Sequence, residues 1–394
     1  MIFAHKIALD LTKSQEAYCR RAAGTARFTY NWALAEWQRQ YRAGEKPTAL
    51  KLKTQWNALK HERFPWVAEV HKDANQQPFT HLRTAFQKFF RREAGYPTFK
   101  KKDQHDSFYV SNDKCTFQGT RLRLPVLGAV RMREALRFTG KVMSVTVSRV
   151  AQRWYASVAV RVEDAPMTCE NQAVVGVDLG VLRLATLSTG ETVEGPKPLR
   201  RLLPALRRCS QGVSRKVKGS ANRLKARAKL ARLQARIACQ RAESLHTLTT
   251  SLVQRFGTVV IEDLHVKGMV RNHHLARAIS DMGFGMFRQM LTYKAERAGV
   301  RLVVADRWFP SSKTCSQCGG VQKALPLRNR VFHCEDCGFV GDRDLNAALN
   351  LATLPTAGGE VTPVDIAALA AVSGCRETAV DEAGTIESAL VHTL

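Results

Sequence analysis

The chain has 394 residues and a formal net charge of +27, from 61 Lys and Arg against 34 Asp and Glu. A hydrophobic content of 45% is enough to build real cores and excludes a basic disordered tail. So large a basic excess, in a chain long enough for two or three domains, points to a polyanionic partner, nucleic acid above all.

The first residues, MIFAHKIALDLTKSQEAYCRR, carry charges throughout and do not read as a signal peptide. No apolar stretch approaches the roughly 20 residues that span a bilayer. A cytoplasmic protein without a membrane partner is expected. In a reducing compartment its ten cysteines should not pair as disulfides. Cys19, Cys115, Cys169, Cys209, Cys239 and Cys375 read as ordinary thiols, and four others cluster late in the chain.

In chain order, alternation over Ile2 to Leu9 predicts a strand. Phe28, Trp32 and Leu34 or Ala35 recur at helical spacing, in a helix that Gly44 and Pro47 should end. Trp56 and Phe64-Pro65-Trp66-Val67 read as packing elements. A second helical block, about Pro78 to Glu93, carries Leu82, Ala85, Phe86, Phe89 and Phe90 on one face, expected to be core. From about residue 105 the period becomes two. SFYVSND, RLRLPVLGAV and KVMSVTVSRVAQRWYASVAVRV predict strands, the last a hairpin turning near Ala151-Gln152-Arg153. The result is a small β domain wrapped around a helical insertion and dotted with Lys100, Lys101, Lys102, Arg121, Arg123 and Arg131.

An α/β segment follows. VVGVDLG reads as a buried strand with an acidic end, and LATLSTG and ETVEG as the next two. Residues 195–242 hold 15 Lys and Arg and no acid. Such a run repels itself unless a polyanion lies on it, so phosphate contact is expected. From the N-cap Ser220 a long helix is predicted, with Leu230, Leu233, Ile237, Leu248 and Leu252 on its apolar face. TVVIEDL is another buried strand, then come a helix at Phe284–Ala298, the strand RLVVADR, and a last helix opening in DRDLNAALNLATL. From about Thr353 one base, Arg376, faces six acids, in a tail expected to be poorly ordered and dispensable.

Cys315 and Cys318, then Cys334 and Cys337, form two CxxC pairs separated by 15 residues. That is the spacing of two knuckles around tetrahedral Zn²⁺. Gly319 and Gly338 follow each second cysteine, where the turn needs a permissive backbone. Four thiolates leave no open position, so a structural zinc is expected, with His333 not needed as a ligand.

Three acids sit at element ends: Asp178 after VVGV, Glu262 after VVI, and Asp344 at the start of the last helix. In an α/β sheet such ends converge on one rim. Bare carboxylates there would repel one another, and divalent Mg²⁺ would make them compatible. A pair of such ions can clamp an in-line displacement at a phosphodiester. Asp263 and Asp342 are the adjacent acids that could be mistaken for members of the set.

GVDLG, IEDL, FPSSKTCSQCG, the second CxxCG and DRDLNAALN, in that order, resemble the OrfB/TnpB family of insertion-sequence proteins and the RuvC domains of type V CRISPR effectors. GTARFTYNWAL, AFQKFF, GYPTFKKK, RLPVLGAV, HTLTTSLV, AISDMGFGMF and YKAERAG extend the likeness to about residue 352. The resemblance implies an α/β RNase H-like (RuvC) nuclease core with an inserted zinc ribbon. It also implies an N-terminal β-barrel-like wedge domain carrying a helical recognition insertion. The expected division is 1–10 and 99–170 wedge, 11–98 recognition lobe, 171–308 and 341–352 nuclease, 309–340 zinc ribbon, and 353–394 acidic tail.

Carried over, Asp178, Glu262 and Asp344 are the catalytic triad and hold Mg²⁺, and the four cysteines hold Zn²⁺. The implied activity is RNA-guided cleavage of double-stranded DNA beside a short transposon-adjacent motif, with a guide RNA from the transposon end. A nuclease-inactive guided regulator and a DNA transposase are the alternatives. Pro78 falls where family members continue a helix, and a later helix start is expected there.

Overall fold

The computed structural model describes residues 2–163, 169–323, 325–326 and 328–354. The expected acidic tail lies, beyond residue 354, outside the described residues, as does Cys375. The described chain divides into two compact units, one up to residue 163 and one from residue 169.

The first unit begins with β1 (Ile2–Asp10), α1 (Lys13–Arg42), α2 (Ala49–Arg63) and α3 (Asp73–Phe90). Thr12 and Gln15 close a capping box at the start of α1. The helices share an aromatic-rich core of Tyr30, Leu34, Leu52, Trp56, Phe79, Leu82 and Phe86. Two expectations fail in α3. The helix starts at Asp73, so Pro78 lies inside it and is buried. Proline removes one N–H and crowds one carbonyl, a local cost that burial of Phe79, Leu82 and Phe86 offsets. Phe90 is 69% exposed, because the helix ends there and the core stripe stops at Phe86 and half-buried Phe89.

The remaining strands are β2 (Ser107–Ser111), β3 (Thr116–Gln118), β4 (Arg121–Leu124), β5 (Gly128–Met132), β6 (Lys141–Val150) and β7 (Arg153–Arg161). With β1 they form an antiparallel sheet in the order β2-β6-β7-β1-β5-β4-β3. Its two edge strands are consecutive in sequence, joined only by residues 112–115. Six strand spacings in a flat sheet would separate the edges by about 29 Å. The linker reaches at most about 18 Å fully extended. The sheet therefore curls, as a barrel does, although no ladder joins β2 to β3 among the described residues.

The second unit contains β8 (Val174–Asp178), β9 (Ala185–Leu187), β10 (Thr192–Val193), α4 (Pro198–Ser214), α5 (Ala221–Arg255) and β11 (Thr258–Glu262). Then come α6 (Val266–Met269), α7 (Ala276–Met282), α8 (Phe284–Ala298), β12 (Arg301–Ala305), β13 (Val331–His333), β14 (Val340–Asp342) and α9 (Arg343–Thr353). The sheet order is β10-β9-β8-β11-β12, with β8, β11 and β12 parallel and β9 and β10 antiparallel.

Strand alternation assigns the sheet's two faces. Val175, Val177, Val259, Ile261 and Val304 pack with Leu245, Leu248, Leu252, Ile279, Phe287 and Leu291 of the long helices. Val260, Val303 and Ala305 face the other way and pack with Leu351 of α9. Gly176 lets α9 approach β8, since a Cβ there would lie 2.0 Å from the Ala348 carbonyl oxygen and 2.7 Å from the Ala352 nitrogen. Both are backbone atoms, so Gly176→Ala must displace the helix. It is expected to lower stability by about 1–3 kcal/mol and to carry Asp344 away from Asp178. Thermal melting together with a crystal structure of the variant checks this.

The acid-free stretch is a helical hairpin, part of whose charge is spent internally. The Arg223 guanidinium donates to the Val213 and Lys216 carbonyls at 3.0 and 2.8 Å. Asp281, 3% exposed, accepts from the Leu199 and Arg200 amides at 3.0 and 2.9 Å, and Arg241 pairs with it at 3.4 Å. That carboxylate supplies the cap that the start of α4 lacks. Lys225, Lys229, Arg232 and Arg236 are exposed at helical spacing on one stripe of α5. Among the described residues no helix is long and apolar enough to cross a membrane.

Candidate active site and metal centre

The parallel register pairs Val177 with Ile261, so Asp178 and Glu262 follow at the same level on neighbouring strands. By alternation both project from the face that α9 covers. Asp344 stands in the first turn of α9, and that helix packs on β8. The three carboxylates predicted from separate element ends are thus brought together. Burial pushes Asp178 up to about 8, with repulsion from Glu262 and Asp344 adding to it. Three acids so placed repel one another, and the charge of a divalent cation would relieve that repulsion.

The neighbouring acids have other work. Asp263 projects oppositely and pairs with Arg288 and Arg307, which hold its carboxyl below its usual range despite partial burial. Asp342 caps α9 by accepting from the Asp344 and Leu345 amides at 2.9 and 3.1 Å, and pairs with Arg183 at 3.0 Å. Period two along β11 and the cap at α9 separate the three clustered carboxylates from acids one or two residues away.

Residues not singled out from sequence complete the site. The Ser311 hydroxyl donates to the Glu262 carboxylate. Arg330 lies 3.5 Å from the Asp344 carboxylate. Asn346 and Asn350 of α9 donate to carbonyls of the Ser311–Thr314 loop. A signal was present: two asparagines four apart on a face of DLNAALN that is otherwise small and apolar.

Cys315, Cys318, Cys334 and Cys337 bring their sulfurs within 4.8 Å of one another, with Cys315–Cys337 at 3.7 Å and Cys318–Cys334 at 3.6 Å. A tetrahedron with metal–sulfur bonds of about 2.3 Å has sulfur separations of about 3.8 Å, whereas a disulfide would be near 2.05 Å. The two knuckles repeat one pattern. The Cys315 and Cys334 amides donate to the Gly320 and Phe339 carbonyls, and the Gly319 and Gly338 amides donate back to the Cys315 and Cys334 carbonyls. Gly319 and Gly338 have φ of +79° and +72°, the left-handed conformation expected of them. His333 is not in the cluster. Of the other cysteines, Cys19 and Cys115 are pushed up to about 12, mainly by burial, and are inert thiols.

This α/β core, with its carboxylates and its four-cysteine insertion, is compatible with the RuvC type. Cas12f1, solved with sgRNA and target DNA, matches it with a TM-score of 0.53 at 15% identity, over 86% of this chain and 83% of that one, a likeness of fold. Residues 157–273 match the OrfB_IS605 family, described as "Probable transposase", and residues 284–351 match a "Cas12f1-like, TNB domain". Residues 1–46 match a family described as a helix-turn-helix domain, yet here they form β1 and the single 30-residue helix α1. A Streptomyces pristinaespiralis protein named "Putative RNA-guided DNA endonuclease" is 41% identical over 88% of both chains. InsQ of Escherichia coli K12, similarly named, is 33% identical over 88% of this chain and 91% of its own. The chain belongs to the OrfB/TnpB family of RNA-guided DNA endonucleases.

Proposed function

We propose that this chain is an RNA-guided DNA endonuclease that hydrolyses phosphodiesters at Asp178, Glu262 and Asp344. The observation that carries the reading is the convergence of these three carboxylates on one face of the β8–β11 pair, with their nearest acidic neighbours capped or ion-paired. Mg²⁺, in two ions, is the cofactor that suits an all-oxygen set. When bound it would activate a water and take up charge on the leaving oxygen. Asp178 and Glu262 hold their oxygens on a rigid sheet, and Asp344 joins them from a helix start. Zn²⁺ suits the four thiolates and serves folding. The transposase alternative gains no catalytic tyrosine or serine motif.

The curled antiparallel sheet is the wedge domain of this reading, and α1 to α3 are the recognition lobe. The guide RNA, from the transposon end, pairs with the target strand next to a short adjacent motif. The exposed stripe Lys225, Lys229, Arg232 and Arg236 is a track for a nucleic-acid backbone. The reading is tested on protein purified with its cellular RNA. Cleavage is expected to vanish when that RNA is removed and to return when it is restored. Cleavage that persists in RNA-free protein would overturn the guided part.

A further inference from the structure

The loop after β12 reaches the carboxylates before it reaches the cysteines. Ser311 is 4% exposed, and its hydroxyl donates to Glu262. Its carbonyl accepts from Asn350 Nδ2 at 2.7 Å. Three residues on, the Thr314 carbonyl accepts from Asn350 at 2.6 Å and from Asn346 at 2.7 Å. Asn346 Oδ1 in turn accepts from the Ser316 amide at 2.9 Å. Cys315 is therefore bracketed by two residues bonded to Asn346. Asn346 and Asn350 are 1% and 5% exposed, and they sit on the helix that opens with Asp344.

We propose that Ser311 is a positioning residue for Glu262, and that Asn346 and Asn350 lock it, with the first cysteine knuckle, to the helix carrying Asp344. The inference rests on the reading of the three carboxylates as a metal site. A glutamate on a strand end can rotate about its side-chain torsions. One hydroxyl donor on one carboxylate oxygen fixes that rotation and leaves the other oxygen for a cation, the usual task of an outer partner of a metal ligand. A carboxamide suits positions 346 and 350. Each buried side chain must donate to carbonyl oxygens, and an aspartate would set its own oxygens against them. The four-cysteine insertion is thus tied mechanically to the carboxylate site through hydrogen bonds on both sides of Cys315.

The test compares Ser311→Ala and Ser311→Thr in the full chain. The readouts are Mn²⁺ affinity by electron paramagnetic resonance on the protein, the Mg²⁺ concentration for half-maximal cleavage with guide RNA, zinc content and melting temperature. Ser311→Ala is expected to weaken Mn²⁺ binding, and to raise the Mg²⁺ requirement, by about 10- to 100-fold. Zinc content and melting temperature should be nearly unchanged, and Ser311→Thr, which keeps the hydroxyl, should restore both metal readouts. If Ser311→Ala fails to fold, Ser311→Cys, of similar size and a weaker donor, carries the same comparison. Glu262→Ala serves as the control. If it abolishes Mn²⁺ binding while Ser311→Ala binds as the wild type does, the positioning role is wrong and the metal site stands. If Glu262→Ala also leaves Mn²⁺ binding intact, the metal-site reading itself fails. Loss of zinc and stability in Ser311→Ala, without rescue by threonine, would assign Ser311 a structural role instead.

Discussion

Asp178→Ala is expected to lower target cleavage by about 10³-fold or more while leaving guide-RNA and target binding nearly intact. Asp178 ends the central strand of the sheet, beside Glu262 and under α9, and both other carboxylates of the proposed metal site act on it. Basic side chains elsewhere dominate nucleic-acid affinity, and removing one acid does not weaken them. Asp178→Asn keeps the shape and replaces a carboxyl whose ionisation burial and two neighbouring carboxylates oppose. The metal-free variant should therefore melt no lower than the wild type, since repulsion is relieved and no packing is lost. Gel-shift binding, cleavage and melting on the same preparations check all three statements. Wild-type cleavage by Asp178→Ala would remove it from the catalytic set.

Cys315→Ser is expected to bring the zinc content from one ion per chain to near zero and to unfold the segment between β12 and α9. The apolar core of that insertion is small: Cys315, Phe332 and Cys334 are buried, with Leu325 and Phe339 packed partly against them. A core of that size cannot offset the ordering of some thirty residues, so metal binding must contribute most of its stability. Structural zinc in isolated finger peptides is worth about 10–16 kcal/mol, comparable with the whole stability of a domain. Because Thr314 and Ser316 are bonded to α9 beside Cys315, cleavage should fall together with the metal. Elemental analysis, limited proteolysis and cleavage of one preparation decide this. A zinc-free variant that resists proteolysis and cuts normally would refute a structural role for the metal.

Much of the architecture was legible because the signals are local. Period two marked β1, β6 and β7, period 3.6 marked α1, and α8 has the expected bounds Phe284–Ala298. The cysteine pairs announced their cluster by spacing alone, since a CxxC turn closes on one ion whatever surrounds it. Boundaries that depend on competition between distant contacts were less legible. Pro78 is a strong local breaker, yet α3 begins five residues earlier because its apolar face gains more from burial than one missing hydrogen bond costs. Phe90 continues the periodic stripe and is nevertheless exposed, its ring lying against Phe86 and Phe89 of its own helix while Tyr96 packs on those two.

Taken alone, the order of residues determined which groups are available. It set a basic chain with a confined stretch free of acids, four thiols at knuckle spacing, and acids at the ends of two buried strands and one helix. It named Glu262 rather than Asp263 through the resemblance of its motif, with no physical reason that separates two adjacent acids. Asp263 and Glu262 differ by one position, and only strand alternation against a packed helix on each face sends one to Arg288 and the other to the carboxylate cluster. Nor could it show that Ser311 touches Glu262, or that Asn346 and Asn350 hold it there. Those contacts span 32 to 49 residues of sequence and exist because Gly176 leaves room for α9 to lie against β8. Side-chain identity is written residue by residue, but which side chains meet is settled by packing of whole elements, where a single missing Cβ decides how closely helix and sheet approach.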